Sequence, residues 1–77
     1  MNVNLDNVAE IMEERGITAE DIEAVVAWGE GEGLKLIDGE NNLAKKRLGK
    51  VMVYVEYTND GVVNDVYSHR VVLASEA

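Results

Sequence analysis

The densest chemistry in this chain is the run Tyr67-Ser68-His69-Arg70, which contains its only histidine. An imidazole beside a phenol and a guanidinium suits proton transfer at a phosphate. The imidazole moves the proton, and the guanidinium steadies anionic charge. Alternation along a strand puts Tyr67 and His69 on one face and Arg70 on the other. Ser68 then points away from His69, so the two cannot act as nucleophile and base. A second cationic run, Lys45-Lys46-Arg47, lies two strands away if the strands follow in chain order. Together these residues could hold a phosphate or a carboxylate. The plainer reading is a half-buried histidine with a hydrogen-bond partner, among charges that keep a sheet soluble and blunt its edge.

Other patterns carry less. Gly29, Gly31 and Gly33 follow a helical stretch and have Glu30 and Glu32 between them. A phosphate cradle needs glycines that lead into a helix N-terminus, so these read as a helix-to-strand connector. Asp38, Glu40 and Asn42 match the first alternating ligands of a calcium loop. Leu43 and Gly49 stand where the turn glycine and the bidentate glutamate belong, which leaves an acidic turn. Glu10, Glu13 and Glu14 read as a solvated helix face. With a single histidine and no cysteine, the chain has no two-histidine or thiolate metal site of its own. No cofactor-binding pattern is present. Trp28 ends a helical stretch, either as a core-edge residue over the sheet or as an anchor for a partner.

The charge balance narrows the classes of partner. Seven basic and fifteen acidic residues give a net charge of −8, which disfavours nonspecific nucleic-acid binding. The charge is uneven. Residues 1–40 hold eleven acids and two bases, for a net of −9, and residues 41–77 hold four acids and five bases, for +1. The absence of cysteine fits a reducing cytoplasm. The first residues show no basic segment followed by an apolar run. The longest apolar run, Ala24 to Trp28, is too short to cross a bilayer. The expectation is a cytoplasmic protein without a membrane segment.

These side chains need a scaffold, and the apolar rhythm supplies one. Leu5, Val8 and Met12, with Ile11, give one apolar helix face from about Leu5 to Arg15. Asn4 is its cap and Gly16 its left-handed stop. Thr18 with Asp21 forms a capping box for a second helix, and Ile17 with Ile22 forms a hydrophobic staple. Ile22, Val25 and Val26 make its buried stripe, and Gly29 is its expected end. After Gly33 the period falls to two. Leu34 to Asp38, Leu43 to Leu48, Val51 to Thr58 and Val62 to Leu73 read as strands, with turns at Asp38-Gly39, Gly49-Lys50 and Asn59-Asp60-Gly61. The last strand is long enough to carry a bulge near Asn64-Asp65. Ala74 to Ala77 reads as a frayed tail. Short loops require antiparallel neighbours. The prediction is one α+β domain over residues 1–77, ordered over about 4–73, with two N-terminal helices packed on a four-stranded antiparallel meander.

The phrase Glu14-Arg15-Gly16-Ile17-Thr18, with Asp21-Ile22 and the closing Asn59-Asp60-Gly61 hairpin, resembles a class of short prokaryotic proteins catalogued as a domain of unknown function. The resemblance spans roughly residues 8–72. It implies a helix, a second helix and a meander. Some members resemble small ribonuclease toxins in layout and carry a histidine early in the first helix, where this chain has Val8, Ala9 and Glu10. The resemblance supports the fold and assigns no activity. The expected function is a noncatalytic interaction module or accessory subunit, meeting a protein partner or a second copy. The alternative is a phosphate-acting, ribonuclease-like enzyme with His69 as acid/base, Tyr67 as helper and Arg47 or Arg70 on the phosphate. A third reading has the acidic helices mimic nucleic acid or mask a basic partner.

Overall fold

The computed structural model describes residues 2–32 and 35–71. A single 3₁₀ turn, Asp6–Val8, runs into helix α1, Ala9–Arg15, followed by helix α2, Ala19–Glu32. Four strands follow: β1 (Lys35–Asp38), β2 (Asn41–Leu48), β3 (Val51–Thr58) and β4 (Val63–Arg70). They form one antiparallel sheet in chain order, so the architecture is α+β with a β-meander.

Local chemistry accounts for most boundaries. Asn4 accepts a hydrogen bond from the Asp6 N–H on its Oδ1 at 2.9 Å, but it stands one residue before the cap position, which Leu5 holds without a side-chain cap bond. Gly16 takes φ 68°, and its N–H and that of Ile17 bond back to the carbonyls of Glu13 and Met12. Thr18 and Asp21 make both bonds of the capping box, at 3.0 and 3.1 Å. The turns after β1 and β2 each place positive φ on their first central residue, Gly39 and Gly49, as a type II′ hairpin turn requires. In the third hairpin Gly61, at φ 91°, closes a longer loop.

The sequence-derived boundaries change at the end of α2 and at the start of β2. Helix α2 does not stop at Gly29; it runs to Glu32. Gly29 is buried at the position seven residues after Ile22, and a Cβ there would lie 2.8 Å from Ala44 Cβ. The glycine lets the helix seat against the sheet. Strand β2 begins at Asn41 rather than Leu43, because pairing with both β1 and β3 outweighs the low strand propensity of Asn41 and Asn42. The bulge falls where expected: Glu56 faces Asp65 and Tyr57 faces Val63, which leaves Asn64 as the extra residue. The expected strand start at Leu34 and the tail from Val72 onward lie outside the described residues.

One face of the sheet is covered by the helices. Ile22, Val25 and Val26 of α2, with Val8 and Ile17, pack on Ala44, Val53, Val55, Tyr57, Val63 and Val66. Asn42 is the buried polar residue of this core. Its side-chain amide donates to the Tyr57 carbonyl at 3.2 Å and to Asn59 Oδ1 at 2.9 Å, so its burial leaves no donor unsatisfied. The other face has no helix on it. No helix among the described residues is long and apolar enough to cross a membrane.

Candidate functional site

The two candidate runs meet on the helix-free face, but only in part. Directly opposed strand residues point to the same side of a sheet. The register therefore puts Lys45 with Tyr54 and Tyr67 in one row, and Arg47 with Met52 and His69 in the next. Lys46 pairs with Val53, Ser68 with Val53 and Arg70 with Val51, which puts all three on the opposite face. Arg70 is thus turned away from His69, as is Ser68. Of these four cations, Lys45 and Arg47 lie on the open face and Lys46 and Arg70 on the other.

Tyr54, Tyr67 and His69 form an aromatic triangle, with ring centroids 5.6 to 6.1 Å apart. The hydroxyl that reaches His69 is that of Tyr54, at 3.2 Å from Nε2. His69 Nδ1 lies 3.2 Å from the Arg70 carbonyl. A carbonyl only accepts, so Nδ1 carries a proton and neutral His69 receives the Tyr54 O–H on Nε2. Both ring nitrogens are thereby engaged. Lys45 Nζ stands 5.9 Å from the centre of the Tyr54 ring, within cation–π range. Arg15 reaches round the β4 edge to stand 5.0 Å over Tyr67.

A groove of about 830 Å³ runs round the β1–β2 corner, from Trp28 on the helix side to Tyr54 on the open face. Leu36, Leu43 and Met52 supply most of its apolar wall, and Lys35, Lys45, Lys46 and Arg47 supply its charge. Trp28 is half-buried and carries the Lys46 ammonium 4.8 Å over its ring. It serves as the groove's rim. Among the described residues Lys45, Lys46 and Arg47 make no ion pair. Arg47 donates only to the Gly49 carbonyl, at 2.9 Å.

Lys35 is different, because its ammonium is bonded to Glu30. Buried Tyr57 donates its hydroxyl to the same Glu30 carboxylate at 2.6 Å. The bond from Lys35, supplemented by that from Tyr57, holds the Glu30 carboxyl below the usual carboxylate range. Burial, and then the Glu30 charge, push the Tyr57 phenol well above the usual tyrosine range. This triad ties the end of α2 to β1 and β3 and closes the floor behind the groove.

Sequence reasoning missed Tyr54, Leu36 and Arg15. Tyr54 was legible as facing away from Val53 and Val55, but its row partner depends on the bulge at Asn64. Leu36 and Arg15 carry no local signal, since both matter through residues far along the chain. Among the described residues no three His, Asp or Glu side chains converge as a metal site would need. Compared with protein families, curated proteins and solved structures, the chain matches none at a significant level.

Proposed function

We propose that this chain is a noncatalytic interaction module that acts through protein–protein contacts at the β1–β2 corner. One observation carries the reading. Lys45, Lys46 and Arg47 border an apolar groove without an acidic partner among the described residues, in a chain with fifteen acids and seven bases. Cations kept free beside exposed apolar side chains suit an acidic, partly apolar protein surface. Trp28 and Tyr54 are the groove's aromatic anchors, of the kind that carry most interface energy. We place the protein in the cytoplasm on its lack of cysteine.

The test compares quantitative affinity capture from lysate with wild-type protein and with Lys45→Glu/Arg47→Glu. A partner held by wild type and by an Asp65→Asn control, but released by the double substitution, supports the reading. A partner held equally by all three removes it, as does the absence of any captured partner together with a wild-type chain that stays monomeric.

A phosphate-acting, ribonuclease-like enzyme is the second reading, favoured by the shared face of His69, Tyr54, Lys45 and Arg47. It requires RNA cleavage by purified protein that disappears in His69→Ala. The engaged ring nitrogens of His69 weigh against it.

A further inference from the structure

We propose that the open β1 edge pairs antiparallel with β1 of a second copy, joining two four-stranded sheets into one across a two-fold axis. This rests on the interaction-module reading above and names its partner as the chain itself.

The first ground is exposure. Leu36 is 72% and Ile37 67% exposed, the two most exposed large apolar side chains among the described residues, and they are consecutive on an edge strand. One lies on each face of the sheet. No fold of the chain's own elements covers both, whereas a neighbouring strand flanks both at once.

The second ground is the backbone. A two-residue turn, Gly39-Glu40, closes on the pair Asp38 and Asn41, which exchange both their backbone bonds. Alternation then directs the N–H and C=O of Ile37 and Lys35 outward. A two-fold axis perpendicular to the sheet keeps each copy's faces on the same side, so it must pass beside a residue rather than between residues. With Leu36 on the axis, Leu36 meets Leu36 of the second copy. Lys35 meets Ile37 of the second copy in two equivalent pairs, which closes about four backbone hydrogen bonds.

The third ground is charge, which selects the second copy over other extended segments. β1 has a cationic end at Lys35 and an acidic end at Asp38 and Glu40. Antiparallel pairing sets each acidic end beside the other copy's cationic end. One row beyond the Lys35–Ala44 pair stands Lys45, on the open face. In the paired assembly the same row and face receive Asp38 of the second copy, two strand spacings or roughly 10 Å away. A lysine side chain spans much of that distance. Lys45 thereby gains a carboxylate, twice per dimer.

The contact is small, below about 1,200 Å² in total, so association is weak and concentration-dependent. Light scattering on wild-type protein across roughly 10 µM to 1 mM should show the mass rising from 8.5 kDa toward twice that value. Ile37→Pro removes an outward donor that β2 does not use, and should leave a folded monomer at every concentration. The decisive arm uses charge reversal. Lys45→Glu/Arg47→Glu and Asp38→Lys/Glu40→Lys should each be monomeric alone and form a mixed dimer when combined. Amide NMR spectra confirm that each variant is folded.

A wild-type mass of 8.5 kDa throughout overturns the proposal. So does a dimer that survives Ile37→Pro, or charge-reversed variants that fail to associate when mixed. A monomeric wild type that still captures a foreign partner through Lys45 and Arg47 would sink the self-pairing while sparing the interaction-module reading.

Discussion

The two edges of this sheet are treated in opposite ways. Along β4 the chain closes its own edge. Asn4 bridges the strand end, donating to the Gly61 carbonyl at 2.8 Å and accepting from Val63 N–H at 3.0 Å. The 3₁₀ turn packs beside it, and Arg15 donates to the Ser68 carbonyl at 3.2 Å while lying over Tyr67. Along β1 nothing equivalent occurs among the described residues, and Leu36 and Ile37 face solvent. An unpaired edge is a template for another strand, which proteins usually blunt. The fold blunts one edge with three separate devices and leaves apolar side chains exposed on the other, and the proposed pairing rests on that contrast.

The predictions test that contrast, starting from the largest effect. The open edge keeps its place because α2 seats closely on β2. Gly29→Ala should cost about 2 kcal/mol, since the new methyl meets Ala44 Cβ rather than a flexible tip. A thermal melt should fall by roughly 10 °C. An unchanged melting temperature would mean the helix can shift freely, and that β1 is not anchored through it.

Arg15→Ala should cost about 1 kcal/mol, from one charge-assisted hydrogen bond and one cation–π contact. Hydrogen exchange should speed up in β4 and not in β1. Equal acceleration in both strands would erase the distinction between the edges.

The triad behind β1 gives a pH signature. Glu30 has a lowered pKa, so the stability it contributes is complete above the usual carboxylate range and is lost as pH falls through its depressed value. Tyr57 has a raised pKa, so its contribution is complete below about pH 10 and is lost as pH rises beyond that. Glu30→Gln should flatten the acid limb of a denaturation-versus-pH curve, and Tyr57→Phe the alkaline limb. In an alkaline absorbance titration one of the three tyrosines should ionise well after the others.

The smallest effect belongs to the open edge itself. Leu36→Thr and Ile37→Thr should each change stability by no more than about 0.5 kcal/mol, as exposed positions do. A loss as large as that of Arg15→Ala would show that β1 already contributes to the core.

Much of the fold could be read in the residue order because its causes are local. The Asn4–Asp6 turn bond, the Gly16 stop and the Thr18–Asp21 box each act within a few residues, and so do the glycine turns. The misreading of Gly29 is instructive. Glycine is a weak helix former, so composition suggested an ending there, but close packing against Ala44 supplied more than the propensity removed. The site was half legible. Alternation placed Tyr67 with His69 and turned Arg70 away, but it did not show that Tyr54 joins them and brings the hydroxyl that reaches His69.

By itself, then, the sequence determined the elements, their caps, the meander and the bulge, because backbone preferences and apolar period are properties of short stretches. Only the tertiary structure decided that the Tyr54 hydroxyl reaches His69, and that Arg15 closes β4 while the β1 edge carries exposed Leu36 and Ile37. Those outcomes depend on strand register and on which side chains reach around an edge. The two-residue turns fix the β1–β2 and β2–β3 registers locally, whereas the pairing of β4 beyond the bulge and the reach of Arg15 depend on residues far apart in the chain.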